Sequence, residues 1–180
     1  MPGMADERFA RSVIYLCAHS EDGAMGIIVN QASRVKNFPE LLVQLNVISS
    51  DDLILLPQGA EGIQVLTGGP VQTDRGFVLH GPGGPWQSTL TINRDIGLTT
   101  SKDILQAVAR GDGPEQIFVT LGYAGWSAGQ IESELAQNAW LTVPADKDVL
   151  FALPCEERVP AAMHLLGIDF ASLSEEAGHA

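Results

Sequence analysis

The residues Ile117-Phe-Val-Thr-Leu-Gly-Tyr-Ala-Gly-Trp-Ser-Ala-Gly-Gln-Ile-Glu-Ser-Glu-Leu-Ala-Gln-Asn-Ala-Trp140 decide how the rest of the chain is read. Ile117 to Leu121 is a short apolar run of β-formers and predicts a buried strand. The glycines after it predict a turn, and beyond them Ala128, Ile131, Leu135 and Ala139 share one helical face. The expected unit is strand, glycine-rich turn, helix.

Gly125-Trp-Ser-Ala-Gly129 fits G-x-S-x-G, the nucleophile elbow, in the strand–turn–helix setting that motif requires. His80-Gly-Pro-Gly-Gly84 could serve as an oxyanion loop, and Asp146 or Asp148 and then His164 follow in hydrolase order. A serine hydrolase is thus one reading. The other is structural. Ser127-Ala-Gly-Gln130 has the spacing of a capping box, in which the Ser127 hydroxyl caps the helix and Gln130 reaches back. Trp126 and Ile131 stand where a hydrophobic staple would. A hydroxyl used as a cap is not free for attack, and Ser127→Ala would then cost about 1 kcal/mol of stability rather than an activity.

Working outward, Arg11–Cys17 and Ala24–Asn30 are β-rich runs joined through Asp22-Gly23, which predicts an antiparallel hairpin. Asn37-Phe-Pro-Glu40 opens a helix through Leu41, Leu42 and Leu45. The segment 46–62 is mixed and receives no assignment. Two strands are expected at Ile63–Leu66 and Asp74–His80, on either side of Thr67-Gly-Gly-Pro70. Ser88–Ile92 alternates as a strand with one wet face. A helix starts over Thr99–Asp103 and stops at Arg110-Gly111. Trp140–Val143 and Val149–Phe151 read as short strands, and Pro160–Leu166 as a last helix. The acidic tail over 174–180 is expected to fray.

At 180 residues with 45% hydrophobic composition the chain is expected to form one domain, 1–173. No apolar run approaches the ~20 residues of a membrane span. Met1–Arg8 lacks the features of a signal peptide, so the cytoplasm is the expected compartment. Cys17 and Cys155 are far apart and outside any CxxC pair, which points to free thiols. Twenty-two acidic against ten basic side chains give a net charge of −12. Nowhere do three basic residues cluster. Phosphate contacts need a concentrated basic face, so the charge argues against direct nucleic-acid binding and for basic or neutral partners.

Other candidates are weaker. Cys17 and His19 lie two apart on a strand, but two ligands are too few for a metal, and none is assigned. Asp74-Arg75, with His80, Tyr123 and Trp126, forms a candidate ligand or partner surface; the competing reading of Asp74-Arg75 is a local turn or ion pair. Gly68-Gly-Pro70 lacks the lysine and spacing of a phosphate loop, and no cofactor is implied.

In combination, Arg11-Ser-Val-Ile-Tyr-Leu-Cys17, Gly68-Gly-Pro-Val71, Asp74-Arg-Gly-Phe-Val-Leu-His80, Thr99-Thr-Ser101 with Asp103, Leu121-Gly-Tyr-Ala-Gly-Trp126, Gly129-Gln130 and Asn138-Ala-Trp-Leu141 resemble the AlgH/YqgE family of bacterial proteins. The similarity runs from about Met1 to Asp169. It implies an α+β domain with a mixed, largely antiparallel split sheet in a barrel-like arrangement and helices packed outside. It also implies a cytosolic protein described as a transcriptional regulator, with no established activity or catalytic residue. In that family the segment matching Met1-Pro-Gly-Met4 is usually preceded by an additional strand, so the resemblance implies either that this edge strand is missing here or that the start is set too late. The reading that emerges is a non-enzymatic protein regulating through an unknown protein partner. The alternatives are a hydrolase using Ser127, His164 and Asp146 or Asp148, and a small-ligand binder around Asp74, Arg75 and His80.

Overall fold

The sheet is organised by one long strand near the end of the chain, β7 (Ile117–Ser127). The structure, a computed structural model, describes residues 9–168. The expectation about an edge strand ahead of Met1–Met4, the tail over 174–180 and the boundary at 173 lie outside the described residues.

β1 (Ile14–Ser20) and β2 (Gly23–Ile28) form the expected hairpin, closed by the two residues Glu21 and Asp22. β2 pairs antiparallel with the second half of β7, Ala24 opposite Trp126. β4 (Val71–His80) pairs antiparallel with the first half, while β3 (Val65–Thr67) lies parallel to Val119–Leu121. β5 (Thr89–Thr91) and β6 (Gly97–Thr99) extend the β4 side, giving the order β1-β2-β7-β4-β6-β5 with β3 on β7. The result is an α+β domain whose mixed sheet curls into a half-barrel.

Side chains alternate across this sheet because successive Cβ atoms point to opposite faces. Phe77, Leu79 and Phe118 enter one core with Tyr15 and Ile27. Val78 and Val119 enter the other, against α1 (Phe38–Gln44) and α2 (Lys102–Arg110). Phe38, Leu41 and Leu42 of α1 and Ile104, Leu105 and Val108 of α2 cover that second face. The first face is closed by Leu150 and Phe151 of α4 (Lys147–Phe151).

α5 (Arg158–Leu165) is anchored by a fully buried arginine. The Arg158 guanidinium donates to the Val29 carbonyl at 2.5 Å, to Gln64 Oε1 at 2.7 Å and to the Leu153 carbonyl at 3.0 and 3.2 Å. It also lies 5.0 Å over the Phe118 ring. These hydrogen-bond partners are all neutral. Burial draws its pKa down, yet the ordinary value is so high that the group stays charged.

Several expectations are corrected. Gly122 to Gly125 is not a turn: β7 continues through it to Ser127, because β2 supplies a new hydrogen-bonding edge from Ala124 onward. Trp140–Val143 is irregular, and Val149–Phe151 is helical, since the Asp146 carboxylate caps α4 by accepting from the amides of Asp148 (2.8 Å) and Val149 (3.0 Å). β5 is exposed on both faces rather than one, being a short edge strand. β6, fully buried, was not foreseen and overlaps the expected helix start only at Thr99; α2 itself begins within that range, at Lys102 after the N-cap Ser101. The unassigned segment contains two 3₁₀ turns, Ser50–Leu55 and Ala60–Gly62.

Glycine is required where β3 ends against β7. Gly68 donates to the Leu121 carbonyl and accepts from the Ile28 amide, both at 2.8 Å. A Cβ on Gly68 would lie 2.2 Å from the Gly122 oxygen, and one on Gly122, at φ 75°, would lie 2.4 Å from the Gly69 oxygen. Gly122→Ala is therefore expected to lose the ~1–2 kcal/mol of a left-handed residue plus the cost of parting two backbones. Gly129→Ala has a similar φ of 73° but nothing within 4 Å, so it should lose only the first amount. Urea unfolding of the two variants should separate them by at least ~1.5 kcal/mol; equal losses would contradict the close approach.

Candidate functional site

β4 carries four residues, 72–75, between its pairings Val71–Tyr123 and Gly76–Leu121, where β7 has Gly122 alone. The surplus is pushed out as a bulge whose residues are all exposed, with Gln72 in the left-handed region at φ 49°. This places Asp74 and Arg75 on the rim of a cleft of about 470 Å³, facing Thr100, Ser101 and Lys102 at the start of α2. Arg75 donates to Thr100 Oγ1 at 3.1 Å and Gln72 Oε1 at 3.4 Å, and sits 5.8 Å over Phe77. Lys102 Nζ donates to the Leu45 carbonyl at 2.5 Å. The Asp103 carboxylate accepts from the Ser101 hydroxyl, the Gln87 amide (2.8 Å) and the Ile104 amide (3.0 Å). Burial raises its pKa, but these donors outweigh burial and hold it below the ordinary value. Asp74 and Arg75 are thus exposed on the bulge, and Thr100–Lys102 are their unforeseen neighbours.

His80 does not join them. It lies at the far end of β4, 3% exposed, with Nδ1 2.7 Å from the Gly81 carbonyl and Nε2 2.8 Å from Thr99 Oγ1. A carbonyl only accepts, so Nδ1 carries the proton and Nε2 accepts from Thr99. Tyr123 packs edge-on to Phe77 at 5.4 Å. Trp126 is 8% exposed and is part of a clamp instead of a ligand surface. Its Nε1 (2.9 Å) and that of Trp140 (2.7 Å) both donate to Glu134 Oε2 on α3 (Gln130–Ala136). Burial raises the Glu134 pKa, but the bonds from Trp140, Gln130 and Trp126 bring it below normal.

Ser127 is the last residue of β7 and does not cap α3; that position belongs to Gly129, with no side-chain bond. Gln130 does reach back, accepting from the Ser127 amide at 3.0 Å. The hydroxyl donates to the same oxygen at 3.1 Å instead of accepting from the helix. The reason is that the strand runs on past the expected end at Leu121 to Ser127 itself, which moves the cap two residues along to Gly129. Asp146 is occupied as the α4 cap, Asp148 is exposed on α4, and His164 is exposed near the end of α5. Among the described residues no hydrogen bond joins these groups to Ser127.

Cys17 and His19 diverge, because a bulge lies between Leu16 and Ala18. Cys17 is buried, its thiol pKa pushed up to about 12 by burial, while His19 reaches Glu132 at 2.5 Å on the surface. Both cysteines are free. Among the described residues no group of three or more His, Cys, Asp or Glu could hold a metal, and no helix is long and apolar enough to cross a membrane.

A second concavity lies in the segment left unassigned. α1 and the two 3₁₀ turns enclose an open groove of about 890 Å³. Beside it Ile54 is 89% and Leu55 74% exposed. The apolar run Leu53-Ile-Leu-Leu56 in an otherwise mixed segment was the available signal.

The chain is similar to known proteins over its whole length. The profile of an AlgH-like family matches residues 1–171. A UPF0301 protein of Nitrosospira multiformis is 53% identical over all of this chain and 93% of its own, and one of Beijerinckia indica 56% identical over all of this chain and 88% of its own. The solution structure of the AlgH protein from Pseudomonas aeruginosa superposes with a TM-score of 0.79 at 50% identity, covering all of this chain and 92% of that one. A crystal structure from Corynebacterium diphtheriae shares the fold at 19% identity and TM-score 0.61, over 88% of this chain and 78% of that one.

His80 generates a pH dependence. Burial holds its pKa below the ordinary value of 6.5, opposed by the bond to Gly81. As the pH falls, the unfolded chain takes up the proton first, so this contribution is complete above about 6.5 and is lost as the pH drops through the folded value. The urea midpoint should fall from pH 7.5 to about 5, and His80→Gln should flatten that slope; an unchanged slope would contradict the neutral assignment.

Proposed function

From the premise that this chain belongs to the AlgH-like family, we propose that it is a non-catalytic cytoplasmic module that acts through contacts with other proteins. Any influence on transcription is then exerted through those contacts and not on DNA.

The observation that carries this reading is the charge distribution. The net charge is −12, and the ten basic side chains are scattered. In the cleft at the start of α2, the two cations Arg75 and Lys102 already donate to Thr100 and to the Leu45 carbonyl. A phosphate backbone would find no concentrated basic face there. The Ser127 hydroxyl, turned to Gln130, adds support against acyl transfer. A second reading, small-ligand binding at Asp74 and Arg75, is favoured by the strained bulge at Gln72, since strain of this kind gathers at functional sites.

Affinity purification from the native cell, with nuclease treatment and mass spectrometry, should return a protein partner in near-stoichiometric amount. Tight, salt-sensitive binding to one DNA sequence would overturn the reading, as would fluorophosphonate labelling abolished by Ser127→Ala.

A further inference from the structure

We propose that the groove between α1 and the two 3₁₀ turns docks a short basic amphipathic helix of a partner protein. This rests on the protein-contact reading above and assigns it a surface and a class of partner. α1 has already spent one face, burying Phe38, Leu41 and Leu42 in the core. Pro39, Glu40 and Val43 remain, and with Leu53 and Ile54 they line the groove. A single exposed aliphatic needs no explanation. Two adjacent ones, Ile54 at 89% and Leu55 at 74%, on the rim of a concavity mark a site of contact.

Charge selects the occupant. The lining includes the carboxylates Glu40 and Glu61 and no lysine or arginine. Asp51 and Asp52 lie on the same 3₁₀ turn as Ile54. A second copy, itself at −12, would set carboxylates against carboxylates. An anionic membrane would be repelled in the same way. No strand residue lines the groove, so strand addition is not the mode, and a helix laid into the groove is. α1 spans seven residues, about 10 Å at 1.5 Å per residue, which matches two turns of a partner helix. Apolar residues of that helix at i, i+3 or i+4, and i+7 would meet Val43, Leu53 and Ile54. Flanking Lys or Arg would meet Glu40 and Glu61.

The probe is a fluorescein-labelled synthetic helix of about 14 residues, roughly four turns, with Leu along one face and Lys and Arg beside it. Fluorescence anisotropy with the full chain should show saturable, salt-sensitive binding. Ile54→Ser and Glu61→Lys, both at exposed positions, should each weaken it about tenfold or more while leaving the melting temperature within a degree or so. A scrambled peptide of equal composition and an acidic counterpart should not bind. Absence of saturable binding, equal binding of the scrambled peptide, or indifference to Ile54→Ser would overturn the proposal. So would dimerisation or binding to phosphatidylcholine vesicles that Ile54→Ser abolishes, since a second copy or a membrane would then be the occupant. If the groove fails but wild type and Ile54→Ser purify the same cellular partner, the protein-contact reading survives without it. DNA binding or Ser127 labelling removes that reading itself.

Discussion

Gly68 and Gly69 meet Gly122 and Tyr123 backbone to backbone, closer than any side chain permits, and the continuity of the sheet depends on that contact. At this crossing β7 leaves β3 and is taken up by β2, with Gly68 bonded to both Leu121 and Ile28. The same eleven residues thereby supply hydrogen bonds to three other strands. Gly122, the one β7 residue opposite the bulge on β4, also sets where Gln72 to Arg75 are extruded. Sheet closure, both cores and the Asp74–Arg75 cleft thus share a single origin.

Much of this architecture was legible because hydrophobic pattern and turn chemistry agree. The hairpin at Asp22-Gly23, the helix from Asn37 and the stop at Gly111 each follow from residues that act locally. The misreadings came where tertiary partners decide. Gly122 and Gly125 carry a turn signal by composition, yet β7 runs through both: β2 pairs with Gly125, and Gly122 is accommodated within the strand at a left-handed φ of 75°. Val149 to Phe151 has strand propensity, and one carboxylate two to three residues upstream overrides it. Gly97 to Thr99 is too short to show a period; it is placed by pairing with β4 and β5, and Leu98 is buried in the core with Tyr15, Phe77 and Phe118.

The candidate site was legible only in part. Asp74-Arg75 stands out between glycine-containing turns, but its neighbours Thr100 to Lys102 come from a distant element. His80 was grouped with the pair by proximity along the strand, but β4 passes from exposed bulge to buried core at Gly76, and His80 lies at the buried end. Arg158 was missed altogether. A buried arginine bonded to carbonyls, an amide and a ring leaves no acidic partner in the sequence to betray it.

The position of β7 along the chain carries a consequence for how the protein is made. Among the described residues six strands are synthesised before it, and three of them, β2, β3 and β4, emerge with edges whose common partner does not yet exist. During elongation at roughly 5–20 residues per second, the nascent chain holds those edges open until residue 127 has been added. The final lock comes later still, when Arg158 has been made and settles over the Phe118 ring. Translation that stops early leaves a sticky, half-assembled polypeptide, so biogenesis rather than the finished fold is where this topology is most exposed to failure.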